Sequence, residues 1–133
     1  MSVEVNITDN SAEYQREMEN KQARILESWG VTCEAYAKLL TKVKTGRARS
    51  SVSHAVKGKD VYIGSNLDYY KWLELGTGIY ASDGQGRQSP WMYYDENGNA
   101  HWTRGIKPGH MLKKAATEHI EELKAIAERI SKE

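Results

Sequence analysis

Between Val61 and Ala116 the spacing of apolar residues switches from two to nearly four and back, which excludes one continuous helix or one unbroken sheet. The stretch reads in turn as a strand (Val61-Tyr62-Ile63-Gly64) and a short aromatic helix that runs into a glycine turn (Tyr69-Tyr70-Lys71-Trp72-Leu73-Glu74-Leu75-Gly76-Thr77-Gly78). A second hairpin follows (Trp91-Met92-Tyr93-Tyr94 with Trp102-Thr103-Arg104-Gly105), then a helix started by Pro108. This alternation points to an α+β domain.

The flanks supply the long helices. Val3-Glu4-Val5-Asn6-Ile7 alternates apolar and polar residues and reads as an N-terminal arm or edge strand within residues 1–10. Asp9 to Ser11 offer capping side chains. Behind them Tyr14, Met18, Ile25, Trp29, Tyr36, Leu40 and Val43 recur at helical intervals, which predicts a long helix with one buried stripe. Gly30 lies inside it and marks an expected joint; Lys44-Thr45-Gly46 is the expected end. Near the C-terminus Leu112, Ala116, His119, Leu123, Ile126 and Ile130 step by three and four, predicting a second amphipathic helix.

Val52, Ala55 and Val56 facing Val61 and Ile63 across Gly58-Lys59 predict a first hairpin. Asp68 is placed to cap the short helix, and Glu96-Asn97-Gly98-Asn99 to turn the second hairpin on an Asn-Gly pair. Residues 76–89 are rich in glycine and serine without apolar periodicity, and read as a mobile loop. The expected architecture is two long amphipathic helices packed on a small antiparallel sheet of two hairpins, with a short aromatic helix between them. At 133 residues the chain is the length of one domain, and 1–133 is read as a single unit.

Chemistry is sparse. The four histidines, His54, His101, His110 and His119, include no pair at the i, i+4 spacing that sets two imidazoles on one helix face, so no metal site is expected. Cys33 is the only cysteine, excluding an internal disulfide, and reads as a small core residue. No serine or cysteine sits in a nucleophile elbow, and neither Gly76-Thr77-Gly78 nor Gly84-Gln85-Gly86-Arg87 has the ending of a phosphate loop. No cofactor and no enzymatic activity are expected. The start lacks the basic-then-apolar run of a signal peptide, and no segment approaches the ~20 apolar residues that cross a bilayer, so no membrane association is expected.

Two features bear on partners. Four tryptophans and eight tyrosines with no phenylalanine, nine of the twelve falling between Tyr62 and Trp102, suit surfaces that are wet before assembly and dry after it; part of the set is expected to fill the core instead. From Ala35 to Lys59 there are seven basic residues and no acidic one, although the whole chain carries a net charge of only +1. This run reads as a solvated helix end and loop, or alternatively as a nucleic-acid contact through Arg47, Arg49, Lys57 and Lys59.

Three words in fixed order carry a family likeness. Thr45-Gly46-Arg47-Ala48-Arg49-Ser50-Ser51-Val52 resembles a threonine-glycine, arginine, serine step after a first helix. Val61-Tyr62-Ile63-Gly64 followed by Tyr69-Tyr70-Lys71-Trp72-Leu73-Glu74-Leu75-Gly76-Thr77 is similar to a strand, tyrosine and glutamate-x-glycine-threonine signature, and Pro108-Gly109-His110-Met111-Leu112-Lys113-Lys114-Ala115 resembles its proline, aromatic-leucine, alanine ending. The chain from about Ala35 to Ile120 thereby resembles the tail-completion or neck proteins of long-tailed double-stranded-DNA bacteriophages, in the Hong Kong-type head-to-tail joining group. Met111 stands where that group usually has phenylalanine, and Ala48 where a larger apolar residue is common.

The resemblance implies a structural virion protein of the head-tail joint, made in the bacterial host cytoplasm and acting as a homo-oligomer, expected to be a ring, that docks to other phage neck and tail proteins and lies near packaged double-stranded DNA. The residues expected at subunit contacts are Tyr69, Tyr70, Glu74, Gly76, Thr77, Trp91, Tyr94 and Trp102, and Arg47, Arg49, Lys57 and Lys59 are expected to face either DNA or the neighbouring ring. The alternative function is a small nucleic-acid-binding protein that uses the basic 38–59 segment and exposed aromatics.

Overall fold

The computed structural model describes residues 2–6, 8–42 and 46–133. The described residues form an α+β fold of five α-helices and two antiparallel two-stranded sheets. Helix α1 spans Ser11–Leu40 and carries its apolar residues three and four apart; from Leu26 onward that stripe is buried, through Gly30, Cys33 and Ala37. The one-turn helix α2 (Arg47–Ser50) leads into strands β1 (Val52–Lys57) and β2 (Asp60–Ser65). These pair from Val52↔Ser65 to Lys57↔Asp60 across a two-residue turn, as the sequence predicts. Strand β1 alternates inward and outward residues, and the inward set packs on α1.

The core lies where α1, β1, the short helix α3 (Tyr70–Leu75) and helix α4 (Met111–Thr117) meet. Ala37, Val52, Tyr70, Met111 and Ala115 are buried together there, with Tyr36, Ala48, Ile63, Leu67, Leu73 and Leu112 packed around them. Helix α5 (Ile120–Ser131) lies along α1 and buries Ile130. The Trp29 indole N–H donates to the Leu123 carbonyl at 2.8 Å, and Tyr36 stacks on His119 with 3.5 Å between ring centroids.

Several local expectations are corrected. Gly30 is no joint, since α1 runs unbroken through it; a Cβ there would overlap the His54 imidazole, so the missing side chain seats β1 on the helix. Helix α1 ends at Leu40, before the expected Lys44-Thr45-Gly46: the described Gly46 precedes α2, while Val43, Lys44 and Thr45 lie outside the described residues. The end is set by Thr41, which is buried, hydrogen-bonds the Tyr70 hydroxyl at 2.9 Å and has its carbonyl held by the Arg49 guanidinium at 3.0 Å.

Tyr14, Met18 and Leu40 belong to the expected stripe yet are exposed. For the first two the reason is length: α5 ends opposite Lys21 and Arg24, which reach Ser131 and Glu133, and nothing described covers the helix before them. Val3 to Asn6 form no strand, and Ile7 lies outside the described residues. Asp9 does hold the first turn, accepting the Ser11 N–H at 2.9 Å. The expected last helix is two helices, parted at Glu118-His119, where His119 turns its ring onto Tyr36.

Strands β3 (Trp91–Tyr94) and β4 (Ala100–Thr103) form the second hairpin, a ribbon separate from the first sheet. Its turn differs from the expected Asn-Gly pair. Only Gly98 has positive φ, at 80°, because the Asp95 carboxylate accepts the N–H groups of Asn97 and Asn99, both at 2.9 Å, and folds a longer loop.

Candidate assembly surface

The glutamate-leucine-glycine-threonine word is an internal clasp. Helix α3 and helix α4 meet end to end, and each supplies what the other's terminus lacks. The Glu74 carboxylate accepts the Leu112 N–H at 3.0 Å and the Lys113 N–H at 3.1 Å, capping α4 at the end where its dipole favours negative charge. In return the Gly109 N–H donates to the Leu73 carbonyl at 2.8 Å and the His110 N–H to the Glu74 carbonyl at 3.2 Å. This exchange explains why α4 starts at Met111 and not at Pro108: the residues between are bonded to the end of α3. It also holds His110 at φ 49°, the one non-glycine among the described residues with positive φ. Asp68 makes no cap to α3, whose N-cap position is Tyr69.

Beyond the clasp the backbones cross at close range. The Thr77 N–H donates to the Ile106 carbonyl and the Ile106 N–H to the Thr77 hydroxyl, both at 2.9 Å, while the Ile79 N–H reaches the Arg104 carbonyl at 3.0 Å. A Cβ on Gly78 would overlap the Arg104 carbonyl, one on Gly105 the Thr77 carbonyl, and one on Gly86 the Gly78 carbonyl. Three stretches of chain therefore converge on one point that only glycines fit. The 76–89 segment is not featureless: it holds a 3₁₀ turn at Gly78–Tyr80, and Ser82 hydrogen-bonds the Leu75 carbonyl through both its N–H and its hydroxyl.

From this crossing the β3–β4 ribbon projects with aromatic side chains on both faces. Met92, Tyr94 and Trp102 share one face; Tyr94 and Trp102 are each 70 % exposed. Trp91 and Tyr93 point to the other, which forms one wall of a groove of about 840 Å³. Tyr69, Trp72, Leu75 and Ile106 line it opposite, all of them exposed. The Arg87 guanidinium lies 5.6 Å from the Trp91 ring centre, and Tyr93 stacks on His101, whose imidazole bonds Asp95 at 2.7 Å. That bond, followed by the backbone N–H of Asn99, holds the Asp95 carboxyl below its usual range.

The expected contact residues thus divide. Tyr69, Tyr94 and Trp102 are at the surface and Trp91 is half-buried in the groove wall. Glu74 is committed to the clasp, Gly76 and Thr77 lie at the crossing beside it and on the groove lining, and Tyr70 is core, 2 % exposed. Sequence reasoning missed Trp72, Leu75 and Ile106 as groove residues; the exposed face of a one-and-a-half-turn helix has too little periodicity to be read. The basic residues divide as well. Arg47 and Arg49 precede β1 while Lys57 and Lys59 lie at its far end, about 20 Å away at 3.3 Å per residue, and Arg49 is half-buried on Thr41.

His54, on the inward side of β1, is bound by Glu27 at 2.8 Å through Nε2 and faces Glu34 at 3.4 Å through Nδ1. The Glu27 bond raises its pKa above the ordinary value, against burial, and Glu34 adds to the rise. Cys33 is buried, and burial pushes its thiol up. Among the described residues no three His, Cys, Asp or Glu side chains are grouped to hold a metal ion, and no helix is long and apolar enough to cross a membrane. Comparison with protein-family models, curated proteins and solved structures finds no match to the chain.

Proposed function

We propose that this protein is a structural subunit of the head-tail joint of a long-tailed double-stranded-DNA bacteriophage, working by self-assembly and by docking to neighbouring virion proteins. The observation that carries the reading is the β3–β4 ribbon: two strands with exposed aromatics on both faces, beside an apolar groove, form an element that is marginal alone and gains stability when covered. The order of sequence words supports the phage assignment, and the clasp gives the glutamate-x-glycine-threonine word a physical reason. Glu74 caps α4, and the turn through Gly76 and Thr77 brings the chain to the crossing that carries the ribbon.

Sedimentation of the purified protein at rising concentration, with mass spectrometry of purified particles, tests the proposal. An assembled species and presence in particles are expected; a strict monomer absent from particles removes it. The nucleic-acid reading has less support, since its four cations fall at two ends of β1 and Arg49 is bonded to the Thr41 carbonyl. It requires DNA binding that weakens steeply with salt, whereas the isolated neck subunit is expected to bind DNA poorly.

A further inference from the structure

Two features at opposite ends of α1 have no use within one chain. At the N-terminal end the helix projects past α5 as an arm: Ser11 to Asn20 are all exposed, with Tyr14 and Met18 in one stripe. Glu13, Glu17 and Glu19 against the single cation Arg16 make its surface acidic. At the C-terminal end, beside Leu40, lies a second groove of about 640 Å³ with an apolar floor that includes Leu73, Ile106 and Met111. Among the described residues its rim carries Lys42, Lys107 and Lys114 against the single acid Glu96. None of the three lysines is in an ion pair among the described residues.

We infer that the acidic arm of one copy docks in the lysine-rimmed groove of the next, with Tyr14 and Met18 on the apolar floor and Glu13 and Glu17 against the lysines. Charge selects this groove over the larger one, whose lining balances Asp83 with Arg87. Geometry selects a second copy over the same chain: α1 is unbroken between Tyr14 and Leu40, which sets arm and groove about 40 Å apart at 1.5 Å per residue. A contact joining different surfaces of identical chains is heterologous, and repeats until it closes as a ring or grows as a filament. The inference deepens the self-assembly reading above and says which surfaces meet.

The test uses full-length protein, with circular dichroism to show that each variant is folded. The arm variant Glu13→Lys/Glu17→Lys and the groove variant Lys107→Glu/Lys114→Glu are each expected to need on the order of tenfold more protein to assemble, the cost of setting like charges together. Mixed in equal amounts, they offer the native arm of one variant to the native groove of the other and the reversed arm to the reversed groove, so the mixture is expected to assemble although neither variant does so alone at that concentration. Combining both reversals in one chain restores assembly. The arm-groove contact is overturned if wild-type protein assembles and either reversal leaves the midpoint unchanged, or if wild-type protein stays monomeric throughout. The first of these leaves the virion proposal standing, because incorporation into particles is read separately.

Discussion

Glu74 ties two helices together, since its side chain closes one helix and its carbonyl accepts from the approach to the same helix. Glu74→Ala is therefore expected to lower stability by about 1–2 kcal/mol, the range for losing a helix cap, seen as a drop in thermal midpoint. Gly30 gives the opposite of a propensity rule. Alanine in a helix interior normally gains up to ~1 kcal/mol over glycine, but here the added methyl meets the His54 ring held by Glu27, and overpacking costs typically ~1–3 kcal/mol. Gly30→Ala is expected to destabilise, and urea unfolding reads the sign. His54 sets a pH dependence. Its folded pKa is raised by Glu27 and Glu34, so its stabilising effect is complete below the unfolded value near ~6.5 and is lost as pH climbs through the folded one. Lys38, 3.6 Å from Glu34, competes for that carboxylate and limits the effect. Stability should fall as pH rises from 6 to 8, and His54→Gln should flatten that slope.

Among the elements, those with a clean period were legible in the sequence and those fixed by distant partners were not. The first hairpin follows from alternation alone, and α1 from its three-four spacing. The ends of α1 and α4 did not, because Thr41 answers to Tyr70 and Arg49, and Met111 follows a cap supplied by a residue far earlier in the chain. Exposure of Tyr14 and Met18 was equally hidden, since a stripe in sequence says nothing of where the covering helix stops. Of the contact residues, the aromatics of the ribbon were visible as amphipathic rings, whereas the bonds that Glu74 and Thr77 make within the chain, to residues about thirty to forty positions later, were not. The ribbon turn depends on Asp95, which is held below the usual carboxylate range by His101 and then by Asn99 and Asn97. Its contribution is present above the unfolded carboxylate value and fades as pH falls through the depressed one. Asp95→Ala should speed amide exchange at Tyr93 and His101 while leaving the β1–β2 amides unchanged.

On the scale of the molecule, the body is α1 with everything that packs on it, and the ribbon stands outside. Gly78, Gly86 and Gly105 meet at one place, so residues 87–104 leave and rejoin the body at neighbouring points. In topological terms this makes the ribbon an insert spliced into an otherwise complete fold. Replacing 88–103 with a short glycine-serine bridge should then yield a chain that melts as cooperatively as the original and no longer enters particles. A lineage of such proteins is free to lengthen, shorten or trade that excursion to suit a new neighbour without renegotiating its interior.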